Sequence, residues 1–194
     1  MGTRHEEFLV AMQRHEADIV AINETWLREG EEARAPAPPG YRLRHVPRPP
    51  AVRSRGGGVG FYLRRGIYAR LLEHPISSSV EQMWLSVKLN GLKLIVGTAY
   101  RPPWLCVDTF IDALTETVGS FFAYDHIILM GDFNIDMSKT GELNYMKLQQ
   151  FLDGFNLEQY VKESTHFTDH SETLIDLVCS SIKITKSWLI TFEI

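Results

Sequence analysis

The sequence predicts an α/β (α+β) layered domain rather than a simple doubly wound sheet, on three observations. Asn90-Gly91 stands between two strand-like runs, and both turn positions of a type I′ hairpin need a positive φ that this pair supplies. Phe110, Ile111, Leu114, Val118, Phe121 and Phe122 recur at helical spacing and form an amphipathic stripe. Short apolar runs recur between turn residues, as expected of strands buried in a layered core. Hairpins alternating with helices make layers.

The elements follow in order. Phe8, Leu9, Met12 and Val10 suggest a short first helix, with Glu6 and Glu7 in its first turn. Ala17 to Ile22 reads as a buried strand. Residues 30–56, rich in Pro, Ala and Arg, read as a loop region. Val59 to Leu63 is a strand entered through Gly56-Gly57-Gly58. The hairpin joins Met83–Leu89 to Leu92–Tyr100, and Arg101-Pro102-Pro103 stops its second strand because proline cannot donate to a ladder. Asp108 is placed to cap the amphipathic helix. Ile127–Met130 is a short buried strand, Leu143–Asp153 a helix stopped by Gly154, and Leu174–Cys179 a further strand. Ile184–Ile194 is apolar and strand-like. No internal repeat or linker divides the chain, so residues 1–194 read as one domain.

Composition narrows the class. The chain has 194 residues, 44% hydrophobic and 23% charged, enough for a substantial core and not the profile of a disordered chain. No run approaches the ~20 apolar residues of a membrane span, so no membrane partner is expected. The charged N-terminus has no signal-peptide core. Cys106 and Cys179, the latter in an apolar run, suggest buried thiols in a reducing compartment rather than a disulfide framework. The net charge of −4 does not advertise nucleic-acid binding, but its distribution is uneven. From Ala33 to Leu72 there are nine arginines and no Asp or Glu, whereas acids return between Asp125 and Asp176. Such a segment could hold a phosphate backbone beside a metal site, or be a solvated arginine-rich loop.

Candidate chemistry sits at strand ends, where layered folds hold side chains at one rim. Glu24 follows the first strand, Tyr100 ends the hairpin, and Gly131-Asp132-Phe133-Asn134 follows Ile127–Met130. Two acids and an amide suit a hard divalent ion that keeps several waters and binds phosphate directly. Asp132 and Asn134, two apart on an extended segment, would point the same way. Each has a plainer reading: Gly-Asp-Phe-Asn as a turn, Glu24 at a helix N-terminus, Tyr100 as packing. Asp176, among Leu174, Ile175, Leu177 and Val178, is either buried and in need of a partner or turned outward by the strand's period of two. Gly56-Gly57-Gly58 lacks the Lys-Ser/Thr of a phosphate-binding loop and reads as a plain loop. His166, Asp169 and His170 lack a second pair at zinc spacing and read as a polar loop. No serine nucleophile elbow is present. Trp104 could flank DNA or pack.

The order of the pieces is more specific than any one of them. Ile22-Asn23-Glu24-Thr25-Trp26-Leu27, Gly56-Gly57-Gly58-Val59-Gly60, Ala99-Tyr100-Arg101-Pro102-Pro103, Met130-Gly131-Asp132-Phe133-Asn134, Ser164-Thr165-His166 and Thr173-Leu174-Ile175-Asp176-Leu177-Val178 succeed one another. The series resembles the endonuclease/exonuclease/phosphatase superfamily over residues 5–181. It is especially similar to the apurinic-type endonuclease domains of non-LTR retrotransposons of the jockey and telomere-repeat kind. The resemblance implies a four-layer sandwich, two mixed β-sheets between helices. It implies Mg²⁺- or Mn²⁺-dependent nicking of DNA that leaves a 3′-hydroxyl to prime reverse transcription. By motif it makes Glu24 the metal-binding glutamate and Tyr100 the tyrosine at the scissile phosphate. Asp132 becomes the residue that positions or deprotonates the attacking water, with Asn134 as its phosphate-binding neighbour. Thr165 would lie near the phosphate, and Asp176 would orient a catalytic histidine. Arg53, Arg55 and Arg101 are the expected DNA contacts. The resemblance further implies an intracellular protein, nuclear or cytoplasmic, monomeric and without a small-molecule cofactor.

Two departures qualify that expectation. Family members open with a strand carrying a metal-site asparagine, before the helix that begins here near Glu6. They close with Ser-Asp-His on a last strand, whereas here Leu177–Ser181 runs on into a divergent tail, residues 182–194. The fold is thus expected to be incomplete at both termini, the chain a fragment, and Asp176 without its histidine, because His166 and His170 lie upstream. Loss of a catalytic acid or base commonly costs ~10²–10⁴ in rate. The expectation is a weakened or inactive DNA-nicking phosphodiesterase, or a catalytically dead nucleic-acid-binding relic of one.

Overall fold

A computed structural model describes residues 2–49, 52, 56–75 and 79–184. Of the expected tail, residues 182–194, all beyond residue 184 lies outside the described residues, as do the arginines at 53 and 55.

The layers stack in a definite order. Helix α1 (Gly2–His15) packs on strand β3 (Val59–Arg64) through Phe8, whose ring lies 5.1 Å from that of Tyr62, and through buried Met12. β3 sits between β1 (Ile19–Asn23) and β2 (Tyr41–Val46) in a three-stranded sheet whose described pairings are all antiparallel. The opposite face of β3, carrying Val59, Phe61 and Leu63, meets Met83, Leu85 and Val87 of β5 (Glu81–Leu89) and Leu94, Val96 and Tyr100 of β6 (Leu92–Tyr100). That is a sheet-on-sheet core. The second sheet has six strands: β4 (Ala69–Leu71), β5, β6, β7 (His126–Asp132), β11 (Asp176–Ser180) and β8 (Glu158–Gln159), in that order. Its one parallel pairing among the described residues joins β6 to β7. The outer face of this sheet carries α2 (Val107–Ser120) and α3 (Leu143–Gly154), which bury Phe110, Leu114, Val118, Leu148, Phe151 and Leu152 against Trp84, Ile127, Leu129 and Leu177. Each such large side chain contributes about 1.5–3 kcal/mol of apolar burial. The result is the four-layer sandwich. A small hairpin of β9 (His166–Thr168) and β10 (Ser171–Thr173) stands beside it.

The hairpin turn is as expected, with Asn90 and Gly91 at φ +50° and +84°. Several local expectations are corrected. β2 lies inside the segment read as a loop: Arg42 and Arg44 point out while Tyr41 and Leu43 are half-buried, so the strand hides behind its arginines. Val10 is 61% exposed and Phe122 is 87% exposed, outside the helical stripes assigned to them. Asp108 does not cap α2; Cys106 holds that position, and Asp108 instead pairs with Lys147 of α3 at 2.5 Å. The strand expected from Leu174 begins at Asp176. Cys179 is buried, but Cys106 is exposed.

Candidate functional site

β6 and β7 run parallel and end side by side, Tyr100 closing one and Asp132 the other. β11 runs antiparallel to β7 and begins at Asp176, whose register partner is Asp132. These ends form one rim, and a cleft of about 450 Å³ opens there, lined among others by Tyr100, Asp132, Asn134, Asp136 and His166. Crevices outside strand carboxyl ends are where layered α/β proteins place ligands.

The Asp132 side is fixed by hydrogen bonds within the Asp132–Asn134 turn and by others to Arg101. Asn134, at φ +47°, donates its backbone N–H to Asp132 Oδ1 (2.9 Å) and its Nδ2 to Asp132 Oδ2 (3.1 Å) and to the Arg101 carbonyl (2.9 Å). Its amide protons are thereby committed, one to Asp132 and one to the Arg101 carbonyl. Gly131, at φ +146°, permits the approach, since a Cβ there would strike the Ala99 carbonyl. Arg101 is not placed to contact DNA. It is 6% exposed, and its guanidinium donates to the carbonyls of Phe133 (2.7 Å), Asn134 (2.5 Å) and Leu105. Such an arginine braces the Asp132–Asn134 loop and has little left for a phosphate. Phe133 turns into the core between the two site residues, as expected.

Thr165 is buried. Its Oγ1 accepts from the backbone N–H groups of Ile175 (3.2 Å) and Asp176 (3.0 Å). It therefore ties the hairpin to the start of β11.

The Glu24 side is held by charge and by residues far apart in sequence. Glu24 follows β1 at φ +54°, a left-handed conformation that costs a non-glycine residue roughly 1–2 kcal/mol and collects at functional sites. Its Oε2 accepts from the Gly57 N–H (3.0 Å), and Arg48 Nη2 lies 3.7 Å from its Oε1. Arg48 Nε donates to Oε1 of buried Glu81 (2.6 Å), whose Oε2 accepts from the Gly58 N–H. The Arg48 guanidinium also stands 5.9 Å from the centre of the Tyr100 ring. Gly57 has φ +76°, and a Cβ there would collide with Arg48 and Glu81, so the glycine loop is a close-packed part of the site. Asn23 bridges the two sides: its amide meets Thr98 Oγ1 (3.0 Å) and, in the orientation satisfying both ends, accepts from the Asp132 N–H (2.6 Å).

These surroundings shift the acids. Burial, then the Asp176 charge and more weakly that of Glu24, push the Asp132 carboxyl up to about 7, against the pull of the Asn134 N–H and Arg101. Burial raises Asp176 as well, with Thr165 and His166 drawing it down. Burial and the Glu24 carboxylate hold the Tyr100 hydroxyl far above its ordinary value, so it stays a proton-bearing donor. Perturbed groups gathered in one cleft are a functional signature.

Glu24, Tyr100, Asp132, Asn134, Thr165 and Asp176 are therefore brought to one rim. Arg101 sits behind it. Arg53 and Arg55, the other expected DNA contacts, lie outside the described residues. Arg48, Glu81 and His166 carry site geometry that motif reading did not assign. Arg48 sat in the loop segment, and Glu81 opens β5 two residues before the strand read from the sequence, Met83–Leu89. Of the seven arginines described from the basic stretch, Arg34 pairs with Glu31, Arg64 with Asp18, Arg42 donates to the Ile67 carbonyl, and Arg48 serves Glu81 and Glu24.

Fold and cleft thus define a four-layer α/β sandwich with an acid- and amide-bearing site at one rim of its larger sheet. The chain belongs to the endonuclease/exonuclease/phosphatase family, whose profile matches residues 3–169. Among solved structures it is similar to the endonuclease domain of TRAS1, a telomere-specific non-LTR retrotransposon (10% identity, TM-score 0.67, covering 92% of this chain and 77% of that one). An endonuclease/exonuclease/phosphatase family protein from Leptotrichia buccalis gives 14%, 0.70, 93% and 81%. An AP endonuclease from Archaeoglobus fulgidus gives 12%, 0.63, 91% and 81%. At these identities the likeness is one of fold. No curated protein matches the chain by sequence. Among the described residues, no helix is long and apolar enough to cross a membrane.

Proposed function

We propose that the cleft binds a phosphodiester of DNA and hydrolyses it with the help of a divalent cation, Mg²⁺ or Mn²⁺, nicking the strand. The observation that carries this is the state of Asp132: a carboxyl held near neutrality, clamped through both oxygens, at the joint end of two parallel strands. A group poised near the working pH is suited to take a proton from an attacking water. Tyr100, kept protonated, is a donor for a phosphate oxygen. Asn134 acts here as a positioning residue, holding Asp132 rather than reaching for phosphate. Thr165 fixes Asp176 against the same rim.

The donor set suits a hard cation. Carboxylates dominate it, and Asp176 and Glu24 burden Asp132 with charge that a cation would relieve. Among the described residues no three acids, cysteines or histidines cluster tightly enough to form a protein cage. Glu24 would hold the ion from the end of β1, with water and substrate oxygens completing its shell. A bound divalent cation would supply neutralisation of charge building on the phosphate.

The experiment is plasmid nicking in Mg²⁺ or Mn²⁺ by the chain and by Asp132→Ala. Nicking by the former alone supports the reading. DNA binding with no nicking by either would favour the alternative, a nucleic-acid-binding relic. Nicking by both would place the activity elsewhere.

A further inference from the structure

A cleft that receives a phosphodiester must overcome the repulsion of its own acids. Asp132 and Asp136 line it, and Asp176 starts the strand beside Asp132. Their charges disfavour an anion unless donors or cations answer them. Arg101 cannot, being spent on backbone carbonyls. Arg48 serves Glu81 and Glu24 on the other side. Among the described residues lining the cleft, His166 is the basic one, and it is exposed.

Its place is fixed from beneath. Thr165, immediately before it, is buried and bound through Oγ1 to the N–H groups of Ile175 and Asp176. The Thr165 N–H donates to the Thr173 carbonyl (2.8 Å), and His166 pairs with Thr173 across the β9–β10 ladder. The hairpin root is thus anchored to the strand that carries Asp176, and His166 lies close enough to ease the ionisation of that carboxyl. In the sequence it stood in a segment read as a polar loop, next to the threonine expected near the phosphate.

We infer that His166 is a substrate-binding residue: its imidazole N–H donates to a non-bridging oxygen of the phosphodiester in the cleft, with the Asp176 carboxylate behind it. This rests on the phosphodiester reading of the cleft. A ring N–H is present on an imidazole in either protonation state, so the contact needs no titration.

The test is a titration of the full chain with dimethyl phosphate, followed by NMR at the histidine ring C–H signals and the Asn134 side-chain amide. His166 and Asn134 signals should move along one saturable curve, while His170, at the hairpin tip, stays still. His166→Ala should weaken binding, read at Asn134, by about threefold to tenfold, and His166→Gln, which keeps an N–H donor, should recover part of it. Movement of Asn134 with a still His166, or unchanged affinity in His166→Ala, would overturn the assignment while leaving the cleft's ligand intact. Stillness of both signals would overturn the assignment together with the phosphodiester reading.

Discussion

The two sides of the cleft are built by different physics. On the Asp132 side, hydrogen bonds within Gly131–Asn134 and from the Arg101 guanidinium to backbone carbonyls lock a short segment. On the Glu24 side, a buried cation between two carboxylates gathers residues 24, 48, 57, 58 and 81 from four separate stretches of chain. The first kind of order ties its ionisable groups to backbone and amide partners. The second depends on every charge remaining paired, because an unpaired buried ion is expensive. Chemistry placed on the first side can tolerate change on the second only so far as Glu24 stays in position.

The largest effect separates function from architecture. Asp132→Ala should reduce nicking by ~10²–10⁴ without lowering the melting temperature. A parallel loss of stability would mean that Asp132 is chiefly a structural group. Next in size, Arg48→Ala strands Glu81 in the interior and should cost ~3–5 kcal/mol in urea unfolding. A loss below ~1 kcal/mol, the range of surface pairs, would erase the contrast between the two sides.

This contrast also marks what could be read from sequence. Gly131-Asp132-Phe133-Asn134 is contiguous, and its alternation foretold Phe133 inward and its neighbours at the rim, although Asn134 takes a left-handed backbone (φ +47°) rather than the extended one expected. Asn90-Gly91 and the α2 stripe were legible for the same reason: each signal spans a few residues. Arg48 and Glu81 were not, because their meaning lies in a contact 33 residues apart. β2 escaped because its arginines gave the segment a loop's composition. Arg101 was read as a DNA contact from its neighbours in the motif, but burial turned it to the carbonyls of Phe133, Asn134 and Leu105. His166 entered the cleft through a hairpin too short and polar to announce itself.

Smaller effects refine the comparison. Gly57→Ala, at φ +76° and against Arg48 and Glu81, should cost roughly 1–3 kcal/mol, measured by thermal unfolding. A neutral result would show that the glycine loop yields freely. Smallest is a gain. The folded chain keeps a proton on Asp132 up to about 7, whereas the unfolded chain releases it near 3.8. That contribution is present below pH ~4 and lost as pH rises through ~7. Asp132→Asn should therefore be more stable than the native chain at pH 8 by on the order of 1 kcal/mol, with the difference vanishing near pH 3.5. Equal stability at both pH values would contradict it.

The two sides and β11 meet electrostatically at one carboxyl, and its titration tests the account most directly. Carbon-13 NMR of the Asp132 carboxyl in the metal-free chain should give a midpoint of about 7. That midpoint should fall toward the ordinary carboxylate range in Asp176→Asn, and by less in Glu24→Gln. A midpoint near 3.8 in the native chain, unmoved by either substitution, would contradict the claim that burial and its neighbours poise Asp132 for proton transfer.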